Sequence, residues 1–278
     1  MAAPVLQIIQ LGSMARSGET LFQRTLAVHP QVHVVHDLWP TNTAAEMRLF
    51  NLLRLWPANE IDRASVAPLL DRPLDDRVTH LLLKQGVFQP LHDWRGVVLL
   101  RNPYAMFCSL WRYDAQQAGE PDEPARHLAY WQARRLPRLL AWADAMHADL
   151  SAQLQALDTP IEQFLHFYAA RTRQLAASGQ PILPYEDFVN RHAEVLPWLC
   201  ETLGLPWDDR LPQAHRAFRA GERGHGGIDL GAPVHASPDW TRQADVPLEP
   251  FLATAAGLGL ERYVDTYNGV VAQPQAVA

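Results

Sequence analysis

The sequence predicts an α/β protein: a doubly wound, mostly parallel sheet with helices on both faces and helical insertions. Three observations carry this. Short, nearly continuous apolar runs recur at Val5–Leu11, Val32–His36, His80–Lys84 and Gly96–Leu100; strands buried on both faces read this way. Segments of helical period alternate with them, which favours parallel strands with crossover helices. The first run also ends in a glycine-rich turn that opens onto a helix.

Each element has its own signal. Val5–Leu11 is the first strand, ended by Gly12-Ser13. Glu19–Val28 is a helix with Leu21, Phe22, Thr25 and Leu26 on one side, stopped by His29-Pro30, because the residue before proline avoids the α region. Val32–His36 is the second strand. Residues 40–80 are irregular and predict short helices. His80–Lys84 and Gly96–Leu100 are further strands, and Pro103–Tyr113 is a helix with proline in its first turn. The pattern from Pro124 to Ala177 predicts two or three helices. Ile182–Pro184 is a short strand, and Tyr185–Leu203 a helix with an acidic first turn, Glu186-Asp187. The glycine and proline clusters after Gly221 predict an ordered loop.

The chain of 278 residues suits one large domain over residues 1–278, with a helical elaboration over about 114–180 and a frayed tail over about 272–278. Its net charge of −6 gives no global attraction to nucleic acid or an acidic membrane, so an anionic ligand needs a local basic site. Cys108 and Cys200 form no metal or redox spacing and read as reduced thiols. No leader pattern and no apolar run of membrane-spanning length is present, so the expected location is cytoplasmic. Lys84 is the only lysine, and the basic residues are otherwise almost all arginine.

Two segments carry the chemistry of anion binding. Gly12-Ser13-Met14-Ala15-Arg16-Ser17-Gly18-Glu19-Thr20 joins the first strand to the first helix. Such a turn presents free N–H groups at the positive end of a helix dipole. Gly18 permits close approach of the backbone, Ser17 and Thr20 offer hydroxyls, and Arg16 a forked cation. A Walker A loop would place lysine where Glu19 stands, which weighs against an ATPase or GTPase. The second segment, Arg101-Asn102-Pro103, ends the strand Gly96–Leu100, and Ser109 lies two turns into the next helix. Arg101 and Ser109 can face one anion at the carboxyl end of the sheet.

The run Arg16-Ser17-Gly18-Glu19-Thr20-Leu21, with His29-Pro30 and a strand after it, resembles the 5'-phosphosulfate loop of sulfotransferases that use PAPS (3'-phosphoadenosine 5'-phosphosulfate). The resemblance implies a P-loop NTPase-like topology. It implies that Arg16, Ser17, Gly18 and Thr20 cradle the 5'-phosphosulfate, with Glu19 and Leu21 in the same loop. Glu19 departs from the family's threonine, and it must point away from the donor or pair with an arginine. Arg101-Asn102-Pro103 with Ser109 resembles the family's 3'-phosphate site. Tyr185-Glu186-Asp187 resembles the segment before its last large helix, and Tyr185 becomes a contact near the 3'-phosphate or adenine. Gly224-His225-Gly226-Gly227 with Trp240 resembles the C-terminal region of bacterial members.

The resemblance implies an enzyme that takes PAPS as co-substrate, releases 3',5'-ADP and needs no metal. Arg16 and Lys84 are the cations for the leaving group and transferring group. The base is Asp37, which matches the spacing of an acidic residue in tyrosylprotein sulfotransferases, or His36, whose ordinary pKa suits a base near neutrality. The acceptor is a small molecule, a peptide or a sugar, met by an aromatic cleft of Trp39, Trp56, Trp111, Tyr113 and Trp131. The alternatives are a kinase of related topology and a non-catalytic protein binding 3',5'-ADP or a sulfated ligand.

Overall fold

A computed structural model of the chain describes residues 5–35, 44–54, 56, 58–70, 74–85, 95–118, 124–224, 228–236 and 246–264. At its centre lies β1 (Val5–Gly12), with β4 (His80–Gln85) on one side and β5 (Gly96–Leu100) on the other. Among the described residues the parallel strands run in the order β2-β4-β1-β5-β6, with β2 at Val32–Val35 and β6 at Ile182–Pro184. The added strand β3 (Glu60–Asp62) pairs antiparallel with the start of β1, Val5 opposite Asp62. The doubly wound reading therefore holds, and β3 is an addition: three residues in an irregular stretch carry no periodicity to read.

Register depends on close packing at one glycine. Gly96 lies opposite Gln10, and a side chain there would meet the Gln10 carbonyl oxygen at 1.8 Å. Only glycine lets β5 lie this close to β1.

Side chains alternate across the sheet. Ile9 and Leu11 face one layer with Leu82, Val97 and Leu99, beneath α1 (Glu19–Ala27), α9 (Tyr185–Asn190) and α10 (His192–Leu203). Leu6 and Ile8 face the other way with Leu81 and Leu83, beneath α2 (Ala44–Arg54) and α3 (Arg63–Val66). Val98 and Leu100 share that second face and pack under the helical elaboration.

The elaboration comprises α4 (Pro103–Ala118), α5 (Pro124–Tyr130), α6 (Leu136–Met146), α7 (Leu150–Gln155) and α8 (Pro160–Ala176). This is one helix more after Pro124 than the upper expectation, because the chain turns at His147–Asp149. A π turn at Trp131–Arg135 joins α5 to α6. It buries Trp131 against Phe107, ring centroids 5.8 Å apart. Thr159 and Glu162 cap α8 reciprocally.

The single helix expected from Tyr185 to Leu203 is two. Arg191 leaves helical geometry (φ −123°, ψ 34°), and the break lets Phe188 on α9 and Leu196 on α10 both enter the layer under β1. The C-terminal region adds α11 (Leu248–Gly257) and α12 (Glu261–Val264) to the expected loop. The tail over 272–278 lies outside the described residues. Cys108 and Cys200 are buried, unbridged thiols. No helix among the described residues is long and apolar enough to cross a membrane.

Candidate functional site

The crevice is set by topology. From β1 the chain leaves through α1 toward β2, beyond β4; from β5 it leaves through α4 to α8 toward β6 on the opposite side. Connections diverging from adjacent strands open a cleft at their carboxyl ends. The β1–α1 turn and the Arg101-Asn102 corner line that cleft.

Hydrogen bonds wind the turn tightly. Ser17 N–H donates to the Met14 carbonyl at 3.1 Å, and Met14 N–H donates to Ser17 Oγ at 3.0 Å. Ser17 Oγ in turn donates to the Met14 carbonyl. Ser17 is buried, and its hydroxyl is engaged within the loop. Arg16 takes the left-handed conformation at φ 71°, and Gly18 at φ 99°. Gly18 is the N-cap of α1 and brings no side-chain cap. The first α-type bond runs from Phe22 N–H to the Gly18 carbonyl. The N–H groups of Glu19, Thr20 and Leu21 therefore open the helix with no helical carbonyl behind them. The Leu21 side chain is in the core, so this residue can contribute only its backbone. Thr20 is half-buried at the same turn.

Arg101 ends β5, and its buried guanidinium donates through Nη1 to the Arg16 carbonyl at 2.9 Å. Arg16 reaches toward α4: its Nε donates to Ser109 Oγ at 3.3 Å, and its Cζ stands 5.0 Å from the Tyr113 ring centroid. Ser109 and Tyr113 lie four residues apart, on one helix face. Burial pushes the Arg16 guanidinium below its ordinary value, and the Arg101 charge pushes it further, while Glu19 and Tyr113 oppose the shift. Two cations crowded in a low-dielectric cleft favour an anion there.

Tyr185 closes the floor. Arg101 Cζ lies 4.5 Å from its ring centroid. A Cβ on Gly18 would stand 2.3 Å from its Cε2. Burial pushes the Tyr185 phenol up, with Arg101 opposing.

Lys84 stands beside Leu11 in the register of β4 on β1. Its Nζ lies 3.5 Å from Glu19 Oε1, which also accepts from Ser13 Oγ at 3.1 Å. Glu19 is thus paired, as its position demanded, but with lysine rather than with an arginine. Arg171, from α8, donates Nε and Nη2 to the Ser13 carbonyl, both at 3.4 Å. Burial pushes its guanidinium down to about 10, opposed by the charge of Glu19.

Sequence reasoning missed Arg171, which no local motif marks, and the work of Asn102. Asn102 Oδ1 accepts from the N–H groups of Tyr104 and Ala105, and Asn102 N–H donates to Glu186 Oε1 at 3.1 Å. Asparagine before proline at a helix start was a readable capping signal. The Tyr168 hydroxyl fixes the corner by donating to the Arg101 carbonyl at 2.8 Å.

His36, Asp37, Trp39, His225, Gly226, Gly227 and Trp240 lie outside the described residues. Beyond Gly227, the chain is fastened to the last turn of α1, where Arg24 Nη1 donates to the carbonyls of Leu230 and Ala232. The aromatic cleft is corrected. Trp131 and Trp111 pack around Phe107 in the core, and Trp56 lies under β3, donating to the Glu60 carbonyl. Of the described members, Tyr113 alone meets the loop arginine. No group of three or more histidine, cysteine or acidic side chains among the described residues could hold a metal ion.

No family model matches the chain, and no curated protein matches it in sequence. Among solved structures it is similar to the sulfotransferase domain from the curacin biosynthetic pathway: 18% identity, 91% of this chain and 97% of that one, TM-score 0.42. It is similar to the sulfotransferase domain of the Synechococcus PCC 7002 olefin synthase: 16% identity, 95% of each chain, TM-score 0.49. A third similar structure is mouse sulfotransferase SULT7A1 complexed with PAP: 12% identity, 93% of this chain and 89% of that one, TM-score 0.47.

Proposed function

We propose that the chain is a sulfotransferase that moves a sulfuryl group from PAPS to a hydroxyl or amine of a small-molecule, peptide or sugar acceptor, in the cytoplasm. The observation that carries this is the meeting of Arg16 and Arg101. They come from the turns after β1 and β5, yet Arg101 Nη1 is bonded to the Arg16 carbonyl. Two anion-binding groups side by side suit a ligand with two separate phosphate groups. ATP offers one contiguous chain of phosphates instead.

The open N–H groups of α1, with Arg16 and Thr20, take the 5'-phosphosulfate. Arg101 and Ser109 take the 3'-phosphate, and Tyr185 flanks it. The acceptor oxygen attacks sulfur in line with the bridging oxygen of the phosphosulfate. A bond forms from acceptor oxygen to sulfur, the bond from sulfur to the bridging oxygen breaks, and 3',5'-ADP leaves. Arg16 and Lys84 offset the charge growing on that oxygen. Asp37 or His36 receives the acceptor's proton. Positioning and electrostatics supply most of such catalysis, as in phosphoryl transfer.

The test uses PAPS carrying radioactive sulfur and a mixed panel of phenols, alcohols and sugars. Label moving into the panel, with loss in Arg16→Ala and Asp37→Ala, supports the reading. Absence of transfer to the whole panel, together with transfer of phosphate from ATP–magnesium, overturns it in favour of a kinase.

A further inference from the structure

Glu19 is a carboxylate placed where an anion-binding turn has most reason to exclude one. It is the first residue of α1, and it is 8% exposed. Three groups make it tenable. Ser13 Oγ donates to Oε1 at 3.1 Å, Lys84 Nζ stands 3.5 Å from the same oxygen, and the helix dipole favours negative charge at this end. Arg171 lies behind, fixed on the Ser13 carbonyl, and its charge and that of Glu19 act on each other. Arg16 feels Glu19 in the same way.

The consequence falls on Lys84. A lysine ammonium is a point charge on a flexible four-carbon stem, and holding it in one place costs rotamer entropy. Lys84 stands at the carboxyl end of β4, and the Glu19 carboxylate at the start of α1 draws its ammonium toward the β1–α1 turn. The Lys84 side chain is 18% exposed, with its Nζ 3.5 Å from Glu19 Oε1.

We propose that Glu19 is a positioning residue, which holds the Lys84 ammonium at the end of the site where the 5'-phosphosulfate is bound. The inference rests on the function proposed above and adds to it a residue that acts through Lys84. It also explains how a carboxylate and an anionic donor share one turn: Glu19 is spent on Lys84 and Ser13.

The test compares binding of two ligands that differ only at the 5' end, PAPS and 3',5'-ADP, by titration calorimetry. The protein variants are Glu19→Gln, Lys84→Met, Lys84→Arg and the double variant Glu19→Gln/Lys84→Met. Lys84→Met is expected to weaken PAPS ~10-fold more than 3',5'-ADP, the loss of one charge-assisted contact. Lys84→Arg is expected to keep the preference for PAPS. Glu19→Gln is expected to reduce that preference when Lys84 is present and to leave it unchanged in the Lys84→Met background. A purely structural role would lower the unfolding temperature without moving the ratio between the two ligands. Equal effects of Glu19→Gln with and without Lys84 would show Glu19 acting by its own charge and overturn the proposal. Lys84→Met weakening both ligands equally would overturn it as well. Failure of the unaltered protein to bind 3',5'-ADP would instead overturn the underlying nucleotide reading.

Discussion

Arg101 Nη1 donates to the main-chain carbonyl of Arg16 at 2.9 Å, although 85 residues separate the two. One side chain thereby does two things. It holds a cation at the carboxyl end of β5, where the proposed 3'-phosphate site lies, and it pins the turn between β1 and α1.

Removing Arg101 should therefore damage both sites. Arg101→Ala is expected to weaken 3',5'-ADP by roughly 10- to 100-fold, the scale of one or two charge-assisted contacts. Arg101→Lys should recover little, because a point charge cannot serve the Arg16 carbonyl and a phosphate together. The Arg16→Ala/Arg101→Ala double variant should lose less than the product of the single losses, since the two cations repel and share partners. Calorimetric titration of Arg101→Ala, Arg101→Lys, Arg16→Ala and the double variant checks this.

Gly18→Ala should be disruptive out of proportion to one methyl group. The residue sits at φ 99°, and the added carbon would press on the Tyr185 ring. A loss of about 1–2 kcal/mol from the backbone alone is expected, plus displacement of Tyr185 from Arg101. Adding Tyr185→Ala should recover only the contact part. Urea unfolding with and without 3',5'-ADP separates the two.

The pair between α4 and the π turn is a stability element beside the cleft. Arg135 Nε donates to Asp114 Oδ2 at 2.9 Å, Nη2 to Oδ1, and both residues are buried. Asp114→Ala strands a buried guanidinium and should cost about 3–5 kcal/mol, whereas replacing both partners by apolar residues of similar volume should cost far less. Thermal unfolding of the single and double variants tests it.

Acid should destabilise the fold through histidines buried in neutral form. Burial, then the charges of Arg95 and His29, push His80 down to about 4 from its ordinary 6.5. Between those values the unfolded chain takes up a proton that the folded chain does not. Stability must then fall as pH drops from about 6.5 to about 4. Burial pushes His33 and His192 down as well, with the same sign. His80→Gln should flatten part of this slope in urea unfolding at a series of pH values. A slope unchanged by the substitution would contradict the assignment.

The strands that build the cleft were legible because they are apolar and short: β5 spans Gly96–Leu100 as expected, and β1 and β4 are each longer by one residue at the carboxyl end. The turn that joins β1 to α1 was legible because turn chemistry is local: glycine, arginine and a helix start stand within a few positions. What sequence could not give was non-local. Arg171 is one arginine among many until α8 folds back over Ser13. The partner of Glu19 depends on the register of β4 against β1, which brings Lys84 beside Leu11. The aromatic cleft failed for the complementary reason: tryptophans contribute large apolar area, and Trp131 was needed in the core around Phe107.

Two adjacent anion sites, read by Arg16 and Arg101, should declare themselves in thermal unfolding with 3',5'-ADP beside ATP–magnesium and AMP. A ligand at about 100 times its Kd that binds only the folded state stabilises by ~2.7 kcal/mol. The expected result is a rise in unfolding temperature with 3',5'-ADP that AMP, lacking the 3'-phosphate, does not match and that Arg101→Ala abolishes. Stabilisation by ATP–magnesium alone, or by none of the three, would contradict the two-site reading.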